Sequence, residues 1–189
     1  MPLLVRPSLA ELPAYVAALE RGWSADNLRG EAAAREELAR IEADPQAFLD
    51  GLEDPLALGP PVTLPDGSRM ARLPSLRRWI WSDGAFGGSI GLRWPADLGP
   101  LPPHVLGHIG YAVVPWQRRR GLATRALGEM LDEARRIGLR EVDLTTDPDN
   151  LASQKVVLAH GGRFVGAFEK PAAYGRAPGW RYRIDLAAR

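Results

Sequence analysis

Between Tyr111 and Thr124 the chain reads Tyr-Ala-Val-Val-Pro-Trp-Gln-Arg-Arg-Arg-Gly-Leu-Ala-Thr. Arg118, Arg119 and Arg120 stand directly before Gly121, with a strand-like run on one side and a helix-like run on the other. The chemistry of such an arrangement is anion binding. The first N–H groups of a helix have no partners within it, and the helix dipole adds partial positive charge there. Gly121 lets a bulky diphosphate approach the main chain with no Cβ in the way. Ala123 keeps the first turn slim, Thr124 adds a hydroxyl, and the arginines offer charge-assisted hydrogen bonds. A triphosphate loop needs G-x-x-x-x-G-K-[ST] and a dinucleotide loop needs G-x-G-x-x-G, and the sequence contains neither. A solvated arginine turn before an ordinary helix is the competing structural reading of Arg-Arg-Arg-Gly taken alone.

The elements that must position this loop are legible around it. Gly107–Val114 is patterned as a strand. Leu122–Ile137 is an amphipathic helix, with Ala123, Leu127, Met130, Leu131, Ala134 and Ile137 on one face and Gly138 at its stop. Glu141–Thr146 alternates as a strand, Asn150–His160 is a short helix, and Phe164–Phe168 and Trp180–Leu186 are closing strands. This order implies a mixed sheet with helices on its faces. Upstream, Leu3–Arg6 reads as a strand. Ser8 and Glu11 have capping-box spacing for a helix that ends near Gly22, and Leu28–Ala43 is a second helix with Leu38 and Ile41 inward. Ten of the 17 prolines fall between Pro45 and Pro103. Leu49–Ser75 and Pro95–Pro103 read as loops, and Leu76–Ser82 and Ala85–Trp94 as a hairpin turning at Asp83-Gly84. Trp79, Trp81, Trp94 and Trp116 lie in or beside strands and read as core and rim packing, with substrate lining as the alternative.

The 189 residues suffice for one domain with a core. A net charge of +1 gives no general attraction to nucleic acid or to an anionic membrane. The absence of cysteine excludes disulfides, zinc–thiolate sites and a cysteine nucleophile. No apolar run reaches membrane-spanning length, and the N-terminus lacks signal-peptide character. A cytoplasmic protein is the expectation.

Arg118-x-x-Gly121-x-Ala123, directly after a strand ending Ala-Val-Val-Pro, resembles the acetyl-CoA signature of the GNAT superfamily of N-acetyltransferases. Asp149-Asn150-Leu-Ala-Ser153, followed by Gly161-Gly162-x-Phe164, resembles its second motif. Gly107-His-Ile-Gly-Tyr and Lys170-Pro-Ala-Ala-Tyr174 are similar to a branch of uncharacterised acetyltransferases. The resemblance covers residues 107–168 well, and the first half agrees only in element order. It implies an α/β (α+β) GNAT fold: a mixed, twisted sheet of six or seven strands with a splayed central parallel pair. It implies one domain over 1–189, with a 1–106 N-terminal half, a 107–168 acetyl-CoA core and a 169–189 closing segment.

The resemblance also implies a reaction: an amine of a small molecule or protein attacks the acetyl-CoA thioester directly, without a metal. The strand ending at Val114 should carry a bulge, and the backbone of Val113 and Val114 should pair with the pantetheine arm and polarise the thioester. Arg118, Arg119, Arg120, Gly121, Leu122, Ala123 and Thr124 should hold the pyrophosphate. Asn150 and Ser153 should meet the arm or the departing sulfur. The family's frequent acid, a tyrosine seven residues after that Asn, is Val157 here. Tyr174, Ser153 or water is left to replace it, or the thiolate leaves unassisted. His108 is the candidate base, against a structural role. His104, His160, Glu53 and Asp54 read as structural or solvated. A non-catalytic acyl-CoA-binding module is the alternative, nucleic-acid binding through the arginines is disfavoured by the net charge, and a homodimer is left open.

Overall fold

Asp83 and Gly84 carry φ of 52° and 76°, the left-handed pair that a two-residue type I′ hairpin turn requires. In the computed structural model, which describes residues 3–187, this turn joins β5 (Ser75–Ser82) to β6 (Ala85–Arg93). Ahead of it come β1 (Leu4–Val5), α1 (Leu12–Glu20), α2 (Glu31–Ala43), α3 (Pro45–Asp50) and the two-residue strands β2 (Glu53–Asp54), β3 (Val62–Thr63) and β4 (Arg69–Met70). After it come β7 (Ile109–Val113), α4 (Leu122–Ile137), β8 (Glu141–Thr146), α5 (Leu151–Leu158), β9 (Arg163–Glu169) and β10 (Pro178–Asp185).

The strands form two larger sheets and one ribbon. β1-β5-β6-β7 is one sheet, with β2 also on β5, β8-β10-β9 is the second, and β3-β4 is the ribbon. Every ladder is antiparallel. The halves meet where β7 faces β8. The His108 N–H donates to the Asp143 carbonyl at 2.7 Å, and Gly107 lies so close that a Cβ would stand 2.8 Å from the same oxygen. Both strands start at this closed end and finish on either side of a cleft, so they run parallel, as a strand–helix–strand crossover through α4 requires. The expected GNAT fold with a splayed parallel pair is therefore present, in sheets that are otherwise antiparallel.

α4 fills the inner face. Leu122, Ala126, Leu127, Met130, Leu131 and Ala134 recur at helical spacing and are all buried. They pack on Ile80, Ile90 and Leu92 of one sheet and on Val142, Leu144 and Ile184 of the other, so one helix bridges both halves. Gly138, at φ 103°, ends it in the left-handed cap. The Glu129 carboxylate accepts the N–H groups of Leu3 and Leu4 at 3.0 and 2.9 Å and so ties β1 to α4. The outer face of the first sheet lies under α1, α2 and α3, where Tyr15 stacks on Trp79 at 4.7 Å between ring centres. Such a pair adds about 0.5–1.5 kcal/mol beyond its burial. No helix among the described residues is long and apolar enough to cross a membrane.

Four expectations are corrected. The first half holds three helices, because Asp44 accepts the Ala47 N–H at 2.9 Å and Pro45 opens α3 inside what reads as a loop. α2 starts at Glu31, after Gly30 at φ 47°, and leaves Leu28 exposed. Ser8 and Glu11 bond to each other through their side chains, and α1 starts only at Leu12. The bulge lies on β6, where Gly87 is the extra residue opposite the Ile80–Trp81 step, while the β6–β7 register runs unshifted from Leu92↔Ile109 to Gly88↔Val113.

Candidate functional site

After Pro115–Gln117 makes one 3₁₀ turn, Arg119 and Gly121 both take positive φ, 64° and 71°. That double reversal aims the start of α4 back at the end of β7. Among the described residues no backbone or side-chain acceptor meets the amides from Arg119 through Thr124, and the first helical bond is Arg125 N–H to Gly121 O. Six successive donors thus face outward at the positive end of a 16-residue helix. Two contacts brace the loop. The Arg21 guanidinium lies 3.5 Å over the Trp116 ring. Arg120 bonds Gln117 and reaches Asp83 of the hairpin turn at 2.6 Å. Arg120 is therefore a strut whose side chain points away from the cleft, whereas Arg118 and Arg119 line it.

The cleft has a volume of about 550 Å³ and lies between β7, the loop and the start of α5. Hydrogen-bond alternation decides which β7 groups face it. Arg93 N–H bonds His108 O, and Val114 N–H bonds Gly87 O at 3.0 Å, so even-numbered residues turn their backbone toward β6. Tyr111 and Val113 turn theirs toward the cleft. Val114 is fully buried and its amide is engaged, which corrects its expected share in polarising a thioester; of the two, only Val113 turns its amide toward the cleft. Arg118 Nε donates to the Val113 carbonyl at 3.3 Å. Leu122 sends its side chain into the core and lends only its amide. Ala123, Thr124, Asn150 and Ser153 line the cleft, and the Asn150 side chain caps α5 by accepting the Ser153 N–H at 3.1 Å.

The proton-transfer candidates fare differently. His108 is buried at the closed end of the strand pair, away from the cleft. Its Nδ1 accepts the Asp143 N–H at 2.9 Å, and burial, opposed by the Asp143 charge, lowers its pKa. It is a stitch between β7 and β8, which corrects its reading as a base. The cavity it does line, of about 810 Å³ among Pro100, Pro102, Glu141 and Arg183, opens at that closed end. His160 Nε2 lies 2.7 Å from the Thr124 carbonyl, which can only accept, so the ring donates and ties α5 to α4. Glu53 pairs with Arg6 and Arg78, and Asp54 accepts the N–H groups of Leu58 and Gly59, so both carboxylates are structural.

Two further cavities continue the cleft along the first sheet. One, of about 280 Å³, shares Tyr111, Asp147, Asn150 and Ser153 with the cleft and reaches Arg93. The next, of about 240 Å³, shares Arg77, Gly91 and Arg93 with it and contains Tyr174 and His104. Tyr174 thus stands two cavities from Val113. Burial raises its pKa, and Arg93 opposes that rise. Val157 is buried against the middle cavity with no hydroxyl to offer. Tyr111 does offer one. Its phenol reaches the Ser153 carbonyl at 3.4 Å, and burial raises its pKa, so it stays protonated at neutral pH. Asp147, ion-paired with Lys170, lines both the cleft and the middle cavity. Sequence reasoning missed both, although their signals were there. Tyr111 is at a cleft-facing parity on the strand, and Asp147 is a carboxylate at a strand end just before the second motif.

A helix-end loop of unpartnered amides beside a splayed strand pair can receive an anion. The chain belongs to the Acetyltransferase (GNAT) family, whose model matches residues 41–161. No curated protein matches. Among solved structures, the chain is similar to the microcin C7 self-immunity acetyltransferase MccE in complex with acetyl-CoA and AMP (12% identity, 96% of this chain and 91% of that one, TM-score 0.57). It is similar to RimL, the ribosomal L7/L12 alpha-N-protein acetyltransferase, in complex with coenzyme A (12% identity, 98% and 94%, TM-score 0.59). It is also similar to a Salmonella typhimurium acetyltransferase that modifies the N-terminal serine of L7/L12 (13% identity, 96% and 93%, TM-score 0.58). These likenesses show the fold.

Proposed function

We propose that the protein transfers an acetyl group from acetyl-CoA to a primary amine of a small molecule or a protein. The observation that carries this is the run of six unpartnered amides from Arg119 to Thr124, opening on a cleft toward which the Val113 amide turns. The pyrophosphate takes those amides with Arg118 and Arg119, and the pantetheine arm takes the place of the missing β7–β8 ladder. The Val113 N–H meets the thioester oxygen and stabilises the oxyanion as the amine attacks. Asn150 and Ser153 stand against the arm.

Two side chains absent from the sequence reading complete the chemistry. Asp147 receives, through water, the proton that the acceptor ammonium must lose before the neutral amine attacks. Tyr111, held protonated by burial, gives its proton to the departing thiolate in place of the hydroxyl that Val157 lacks. Tyr174 belongs to the acceptor side.

Titration of acetyl-CoA into wild type and Gly121→Glu tests the donor half. A Cβ at Gly121 meets no atom within 4 Å, so the loss expected comes from a carboxylate placed in the anion site and from the positive φ. Equal binding by both proteins refutes the loop assignment. Release of coenzyme A across a panel of amines tests transfer. Val157 also favours a second reading, a non-catalytic acyl-CoA-binding module, and binding without release from any amine would establish it.

A further inference from the structure

We propose that the acceptor carries a carboxylate or phosphate in addition to its amine, and that Arg93 with Arg77 binds that anion. The inference rests on the acceptor reading above.

Ser89, Gly91 and Arg93 alternate on the open face of β6, the face on which Arg77 of β5 stands across from Gly91. Farther along the sheet this face is covered by α1 and α2. Here it is bare, and the two cavities beyond the cleft join over it, sharing Arg77, Gly91 and Arg93. The absence of a side chain at Gly91 leaves the floor between the two guanidinium groups open.

The charge balance of this groove is one-sided. Arg93 forms no ion pair among the described residues. The one acidic group with which Arg77 pairs, Glu37 at 3.6 Å, is shared with the Tyr15 hydroxyl. Lys170 is neutralised by Asp147. In the wall of the outer cavity Arg72 is paired with Asp54 at 3.5 Å, which leaves Arg93 as the arginine there without a carboxylate partner among the described residues. Arg93 is solvated by the groove yet walled by protein on most sides. Burial and the neighbouring Arg77 charge work against its cation, and only Tyr174 favours it. A cation so placed is matched by an anion from outside, and a guanidinium fits carboxylate or phosphate with two parallel bonds.

The position sets the spacing. Arg93 Nη2 lies 3.9 Å from where a Cβ of Gly110 would be, three residues before Val113 on β7. At about 3.4 Å per residue the anion lies on the order of 10 Å from the Val113 amide. An α-amino acid does not span that distance. An amine separated from its anion by a chain of several atoms does.

The test measures anion binding separately from turnover. Wild type, Arg93→Met and Arg93→Lys are first titrated with acetyl-CoA, and equal affinities are expected. Each protein, saturated with coenzyme A so that the pyrophosphate loop is filled, is then titrated with glutarate and, separately, with inorganic phosphate. Wild type should bind at least one, Arg93→Met should lose about ten-fold or more in affinity, and Arg93→Lys should recover part of it. The tighter anion names the acceptor class. Absence of binding to wild type, or equal binding to wild type and Arg93→Met, overturns the proposal. Failure to bind acetyl-CoA would strike the donor reading instead. With acetyl-CoA, 6-aminohexanoate should be acetylated in preference to hexylamine by wild type, and Arg93→Met should lose the preference through KM.

Discussion

An imidazole whose Nδ1 accepts a backbone N–H must break that bond to take up a second proton. His108 is in this position, and burial lowers its pKa below the ordinary imidazole value of about 6.5. The unfolded chain therefore binds a proton below about pH 6.5 that the folded chain refuses, and stability falls as pH drops through that value. The slope reaches at most about 1.4 kcal/mol per pH unit. His108→Gln should flatten the dependence of Tm on pH between 7.5 and 5, while its pH–rate profile keeps the wild-type shape. A lost basic group in that profile would return His108 to the chemistry. For Tyr111→Phe the expected result is a fall in kcat of about 10²-fold with the KM for acetyl-CoA held, measured with any amine that releases coenzyme A. An unchanged kcat would leave the thiolate departing unassisted. The loop residues were legible in the sequence because most of their contacts are main-chain, so a glycine and a helix start suffice to mark them. Tyr111 and Asp147 carry weaker signals, a parity on β7 and a carboxylate at the end of β8, which single out a side chain only once it is known which edge of β7 pairs with β6.

α4, β8 and the β5–β6 hairpin agree with the sequence reading almost residue for residue, and the reason is the size of their apolar faces. A 16-residue helix with six buried positions imposes its period on the sequence, and Asp83-Gly84 has few alternatives to a turn. α3 buries only Phe48 and Leu49, too little for a period, and the two-residue strands β2, β3 and β4 have no alternation at all. The link from β1 to α4 was equally hidden, since it joins positions 125 and 126 residues apart through one carboxylate. Removing that carboxylate in Glu129→Ala leaves the backbone amides of Leu3 and Leu4 unpaired beside the buried Leu3 side chain. A loss of about 1–3 kcal/mol in urea unfolding is expected. A loss near zero would mean that β5 alone holds β1. Gly88→Ala should cost more than an exposed glycine substitution such as Gly67→Ala. At Gly88 a Cβ would lie 2.2 Å from the Ala112 carbonyl, whereas at Gly67 it meets nothing, and both sites have positive φ.

At the scale of the whole molecule, two sheets share one helix and one closed strand end, and the cleft occupies the place of the ladder that would otherwise unite them. The residues around Asp149–Ser153 and Arg118–Thr124 were enough to foresee this splayed pair, because the two motifs sit at the two lips of the opening. A ligand that fills the gap touches the end of β7, the start of α4 and the start of α5 together, so it binds the folded chain and has no comparable site on the unfolded one. At a concentration 100 times its dissociation constant, acetyl-CoA should add about 2.7 kcal/mol to stability. For a chain of this length that is a rise in Tm on the order of 5–10 °C. The rise should vanish in Gly121→Glu, whose own Tm in the absence of ligand supplies the baseline. Amide exchange should slow on both lips, at Val113 and in the first turns of α4 and α5, and remain unchanged in the β3–β4 ribbon, which lies outside the cleft. A Tm rise equal in both proteins, or protection confined to the ribbon, would place the ligand elsewhere on the molecule.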